Sequence, residues 1–172
     1  MTQLICFLLS AAPASQPAPT VLVEGALARK AALTEKDLAG LGAVTVDWSD
    51  KAGAHKVKGV RLDRILGHLG FNEGPVGPAA DPKVKHEGLR AVVVAQAADG
   101  FQAVFSVGEL LESLGATQVL VAWEVDGKAL APDVGPFRLV VTTDKRGSRS
   151  LHRLTALRVV DLRASPPPAP AK

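Results

Sequence analysis

Apolar and polar positions along this chain alternate in short stretches whose period switches repeatedly between two and about 3.6 residues. Residues 21–25 read as a first strand, and residues 33–38 as the opening of a helix, with Thr34 as N-cap, Asp37 three positions on, and Leu33 set to pack on Leu38. Residues 44–48 alternate as a half-buried strand does, and residues 55–59 form a short strand that runs into a helix over 61–69. In that helix Leu62, Ile65, Leu66 and Leu69 fall on one face, and Gly70 ends it. Residues 72–88, rich in Pro and Gly and without periodicity, read as a long loop, either a lid or plain disorder. Residues 91–96 and 101–105 flank Asp99-Gly100, a strong hairpin signal. Ser106 and Glu109 form a capping box before Leu110, Leu111 and Leu114, with Gly115 closing the helix. Residues 119–125 and 128–130 make a second hairpin around Asp126-Gly127, and residues 137–142 and 156–162 complete the strands. Short strands interspersed with short helices, without regular βαβ units, predict a mixed α+β fold in a single domain.

The ends differ in character from this body. Residues 4–12 are an apolar run too short to span a bilayer, followed by Ala12-Pro13-Ala14, a small-residue cleavage pattern; residues 1–14 therefore read as a signal peptide, which implies an exported, periplasmic protein. Residues 15–20 read as a Pro/Ala-rich tether and 164–172 as a disordered Pro-rich tail, leaving 21–163 as the folded domain. With 47% hydrophobic and 22% charged residues the body has enough apolar surface for its own core.

Charge changes the picture locally. The net charge is only +3, yet residues 138–163 hold seven cations against two anions, so an anion is drawn to the C-terminal third. Within it, Asp144-Lys145-Arg146-Gly147-Ser148-Arg149-Ser150-Leu151-His152 combines a glycine turn, two hydroxyls and several cations. Phosphate or another oxyanion accepts several charge-assisted hydrogen bonds at once, and these groups supply them; the competing reading is a solvated basic loop. The stretch has no interleaved aromatics, which argues against nucleic acid. His55, His68, His86 and His152 are scattered, so a histidine-based metal site is not indicated. The only cysteine is Cys6, which excludes an internal disulfide and a thiol in the folded body.

Four segments, taken in order, add a resemblance. Lys58-Gly59-Val60-Arg61-Leu62-Asp63-Arg64-Ile65-Leu66 resembles the Gly-Val-x-Leu-x-x-Leu-Leu segment of the sulfite-oxidase-like molybdopterin-binding family. Ala98-Asp99-Gly100-Phe101-Gln102-Ala103 is similar to its Ala-Asp-Gly-Tyr-x-Ala hairpin, and Gly135-Pro136-Phe137-Arg138-Leu139-Val140-Val141 to its Gly-Pro-x-Arg-Leu-Val-Val strand. Gly147-Ser148-Arg149-Ser150-Leu151-His152-Arg153-Leu154 resembles its Gly-Ala-Arg-Ser-Val-Lys-Trp-Leu phosphate turn. The resemblance implies the sulfite-oxidase-type fold, with mixed sheets, short helices and a pocket for a pterin or molybdopterin-like ligand. It places Trp48, Ser49, Asp99, Phe101, Lys145, Arg146, Ser148, Arg149, Ser150 and His152 about that ligand, with the phosphate end near Arg149, Ser150 and His152. Where the oxidoreductases carry a molybdenum-ligating cysteine, this chain reads Thr45-Val46-Asp47-Trp48-Ser49-Asp50, and Phe101 stands in place of the hairpin tyrosine. The expectation is therefore pterin binding without molybdenum held through cysteine. Small cysteine-less members resemble periplasmic pterin-binding proteins that regulate membrane signalling receptors, which implies a receptor partner and a protein not itself embedded in the membrane. An oxidoreductase with an oxygen ligand to the metal, and a scaffold with a vestigial pocket, are the alternatives.

Overall fold

A computed structural model describes residues 17–71, 87–112 and 114–162. The signal-peptide and tail readings, and most of the 72–88 loop, lie outside them. Two five-stranded sheets carry the fold. The first runs β2 (Ala31–Thr34), β1 (Thr20–Gly25), β10 (Leu154–Asp161), β5 (Ala91–Ala97) and β6 (Gln102–Ser106). β1 and β10 pair in parallel, so strands from opposite ends of the described chain lie side by side. The second sheet runs β3 (Val44–Asp50), β4 (Gly53–Arg61), β7 (Val119–Val125) and β8 (Lys128–Ala129), and β9 (Arg138–Val141) pairs with the Val119–Ala122 part of β7.

Three short helices connect the strands: α1 (Glu35–Gly40), α2 (Leu62–His68) and α3 (Val107–Leu110). The capping boxes form as the sequence predicts, Thr34 with Asp37 and Ser106 with Glu109. At the second Asp-Gly turn Asp126 and Gly127 both take positive φ, 52° and 74°, as a two-residue hairpin demands. Three elements depart from the sequence reading. β2 was not anticipated, because four residues are too few for an alternation to register. β4 begins two residues earlier and ends two later than expected, drawn out by pairing on both sides with β3 and β7. α3 stops at Leu110, since Leu111 is already extended (ψ 133°), and this leaves Leu114 exposed instead of on a helix face.

Most of the core lies on one face of the second sheet. Val60, Val121, Trp123, Leu139 and Val141 pack there against Val23, Val93, Phe105 and Leu157 of the first sheet and Ile65 of α2. The opposite face carries a small cluster of its own, Trp48, Val57, Ala122 and Val140. Because side chains alternate along a strand, β9 sends Leu139 and Val141 to the main core while Arg138 and Val140 share the other face with Trp48. That second face is where the candidate site forms.

Candidate functional site

The end of β3, the start of β9 and the turn after β9 enclose a cleft of about 980 Å³. β3 contributes Trp48, Ser49 and Asp50, with Lys51 just beyond it. β9 contributes Arg138, beside Trp48. The turn closes the third side with Lys145, Arg146, Ser148, Ser150 and His152, together with Asp144 and Gly147.

Arg138 is the unusual group. It is the only buried charged residue among those described, 8% exposed, and its Nε has no hydrogen-bond partner. Its guanidinium lies over the Trp48 ring, 4.7 Å from the ring centre, where the negative face of the indole partly compensates the buried charge. Burial lowers the guanidinium's pKa and the nearby Asp50 carboxylate partly restores it; arginine remains ionised in either case. A buried, under-satisfied cation beside a cleft is a donor waiting for an anionic or carbonyl acceptor.

The turn is held from behind. Val141 N–H donates to Ser150 Oγ at 3.1 Å, which uses an acceptor position of that hydroxyl and leaves its proton free to donate. Past His152, Arg153 sits at φ 48°, in the left-handed region; its N–H donates to the Val134 carbonyl at 2.7 Å and its carbonyl accepts Ala98 N–H at 2.9 Å. These bonds lock the exit of the turn to the neighbouring loop and hairpin. His152, at the rim, has its pKa held below the usual 6.5, first by partial desolvation of the ring and then by the Arg138 charge, so it is neutral at pH 7.

Seven of the ten residues expected about the ligand line the cleft: Trp48, Ser49, Lys145, Arg146, Ser148, Ser150 and His152. Arg149 turns the other way. Its Nε and Nη2 grip both oxygens of Asp144, at 2.9 and 2.7 Å, its Nη1 reaches Glu109 at 3.2 Å, and its guanidinium lies over Phe105. Both carboxylates raise its pKa, and the arrangement makes it a clamp that pins the turn to α3. Asp99 and Phe101 do not line the cleft either: they sit at the β5–β6 turn, Asp99 Oδ1 accepts Phe101 N–H at 2.9 Å, and the Phe101 ring is 52% exposed. Sequence reasoning passed over Arg138, Asp50 and Lys51 as site residues. The available signal for Arg138 was a lone charge inside the apolar run Phe137-Arg138-Leu139-Val140-Val141.

Behind Asp50 lies a small relay. His55 Nδ1 is 2.8 Å from Asp126 Oδ2 and Nε2 is 3.5 Å from Asp50 Oδ1, and the imidazole lies tilted beside the Trp48 ring. The hydrogen bond to Asp126 chiefly, and the two negative charges with it, raise the His55 pKa above 6.5, while both carboxylates are held low. A group whose pKa rises on folding stabilises fully below its unfolded value and loses that contribution as pH climbs through the folded value. His55→Gln is therefore expected to lower the melting temperature more at pH 5.5 than at pH 9; equal losses at both, by calorimetry, would refute the relay.

Comparison with known proteins places this mixed α+β domain and its cleft in a family. The family model of the oxidoreductase molybdopterin binding domain matches residues 28–166, and the chain belongs to that family, with the sulfite-oxidase-type molybdopterin-binding fold. The sulfane dehydrogenase SoxCD from Paracoccus pantotrophus has a similar structure, at TM-score 0.61 and 18% identity, over 83% of this chain and 38% of that one. The chain thus spans well under half the length of that neighbour. No curated protein matches it.

The donor set fits the organic part of a molybdopterin-type cofactor: a stacked guanidinium for a flat ring, and hydroxyls and cations for an anionic tail. Among the described residues no cysteine lines the cleft. Position 48–50 offers an indole, a hydroxyl and a carboxylate, and the sole cysteine, Cys6, precedes all described residues. The described residues contain no cluster of three or more potential metal ligands, and no helix among them is long and apolar enough to cross a membrane.

Proposed function

We propose that this protein is an exported ligand-binding module that captures a reduced pterin, or a closely related phosphate-bearing heterocycle, and relays its presence to a membrane-bound receptor. The observation that carries the reading is Arg138: a buried guanidinium stacked on Trp48, with an unpartnered Nε, facing a cleft whose opposite rim bears Lys145, Arg146, Ser150 and His152. A ligand with a carbonyl or anionic group satisfies the orphaned donor and takes charge-assisted bonds from the turn. Export rests on the apolar run at residues 4–12 and the Ala12-Pro13-Ala14 pattern, and the periplasmic fraction of a bacterial host is expected to hold a chain trimmed after Ala14. The ligand reading is tested by isothermal titration of the full chain with 6-hydroxymethyl-tetrahydropterin. One-to-one binding that weakens as salt rises is expected; no heat at millimolar ligand defeats the proposal.

A further inference from the structure

Arg138 and Asp50 line the same cleft with opposite charges, yet no ion pair joins them among the described residues. Each is restrained from elsewhere. Trp48 lies against the face of the guanidinium. Asp50 Oδ1 accepts Ala52 N–H at 2.7 Å and faces His55, which is tied in turn to Asp126. The carboxylate cannot swing to neutralise the arginine without giving up these bonds, and its four lone-pair positions leave acceptor capacity toward the cleft. A cleft built only for phosphate has no use for such a group, because a fixed anion repels another. Donor and acceptor held apart suit instead a rigid ligand edge that shows an acceptor beside N–H donors.

We infer that Asp50 is a specificity-determining residue that selects ligands carrying an N–H donor edge, of the 2-amino-4-oxopyrimidine kind, over ligands that show an oxygen at the same place. This rests on the binding reading above and names the part of the ligand that the cleft discriminates. In that arrangement the ring carbonyl accepts from Arg138, and the ring N–H and exocyclic amine donate to Asp50. The two residues thereby fix the ring's orientation, with its substituent directed to the Lys145–Arg146 rim. A 2,4-dioxo analogue keeps the carbonyl but sets an oxygen against the Asp50 carboxylate. Leaving a polar group facing a repulsive partner discriminates far more strongly than losing a contact does. Asp50 is partly solvated, so discrimination on the order of tenfold is expected instead of the larger ratios of sealed sites.

The test is a pair of calorimetric titrations of the full chain, with 6-hydroxymethyl-tetrahydropterin and with the tetrahydrolumazine bearing the same substituent. Wild type is expected to favour the pterin by about tenfold. Asp50→Asn, which keeps an acceptor for Ala52 N–H, is expected to bring the ratio close to one and to raise affinity for inorganic phosphate, since a fixed negative charge has gone. Equal affinities in wild type, or an unchanged ratio in Asp50→Asn, overturn the assignment while leaving the binding reading intact. Failure of wild type to bind either ligand defeats the binding reading, and the assignment falls with it. The wild-type ratio needs no variant, so the inference stays open to refutation even if the substitution perturbs folding.

Discussion

Arg138→Met is expected to raise the melting temperature of the ligand-free protein while weakening binding of a reduced pterin by roughly 30- to 100-fold, the equivalent of the loss of one or two charge-assisted hydrogen bonds. The two effects have one cause. The Nε of this guanidinium is buried without a partner, and its charge is compensated only in part, by the Trp48 ring and the nearby Asp50 carboxylate. Desolvating an ion costs several kcal/mol, whereas a cation–π contact returns about 0.5–2 kcal/mol. Methionine fills similar space, keeps a favourable sulfur contact with Trp48 and removes the charge. The net gain is on the order of 1 kcal/mol, or a few degrees in a domain of this size. Calorimetric melting without ligand and titration with it read the two sides separately. A variant that melts lower and binds as well as wild type would mean that Arg138 is a structural residue, and the proposed function would lose its main support.

Stability given up at one position marks where function overrides packing, and such positions are also where sequence reading is weakest. The elements with a local signature were legible in the sequence. The Thr34–Asp37 and Ser106–Glu109 capping boxes and both Asp-Gly hairpins each state their geometry within four residues. The parallel pairing of β1 with β10 has no local counterpart, because its partners stand more than 130 positions apart and only the folded sheet joins them. The turn at residues 144–152 was legible as a whole but not in detail. Arg146 and Arg149 are equivalent as letters; the Asp144 and Glu109 carboxylates claim Arg149, and Arg146 is left to the cleft. Glu109 lies 40 positions away, so nothing in the turn's own composition announces the choice. Arg138 was hidden for a related reason. In an apolar strand its charge registers as an exception, and only the alternation of β9 between two clusters shows that it shares a face with Trp48.

Trp48→Ala is expected to lower stability by about 3 kcal/mol and to abolish measurable pterin binding, whereas Trp48→Phe is expected to bind only a few-fold more weakly than wild type. Trp48 is buried and is the largest member of the cluster with Val57, Ala122 and Val140, so truncation leaves a cavity on a face with little else to fill it. It also holds Arg138 by its ring face and borders His55, so its removal takes away the contact that positions the guanidinium. Phenylalanine retains an aromatic face for the guanidinium, with a weaker attraction and a smaller footprint. A stability loss of this size corresponds to roughly 6–12 °C in melting temperature for a domain of about 150 residues. Phe and Ala variants that bind equally well would show that the ring acts on the ligand neither directly nor through Arg138. An Ala variant as stable as wild type would show instead that the outer cluster contributes nothing to the second sheet.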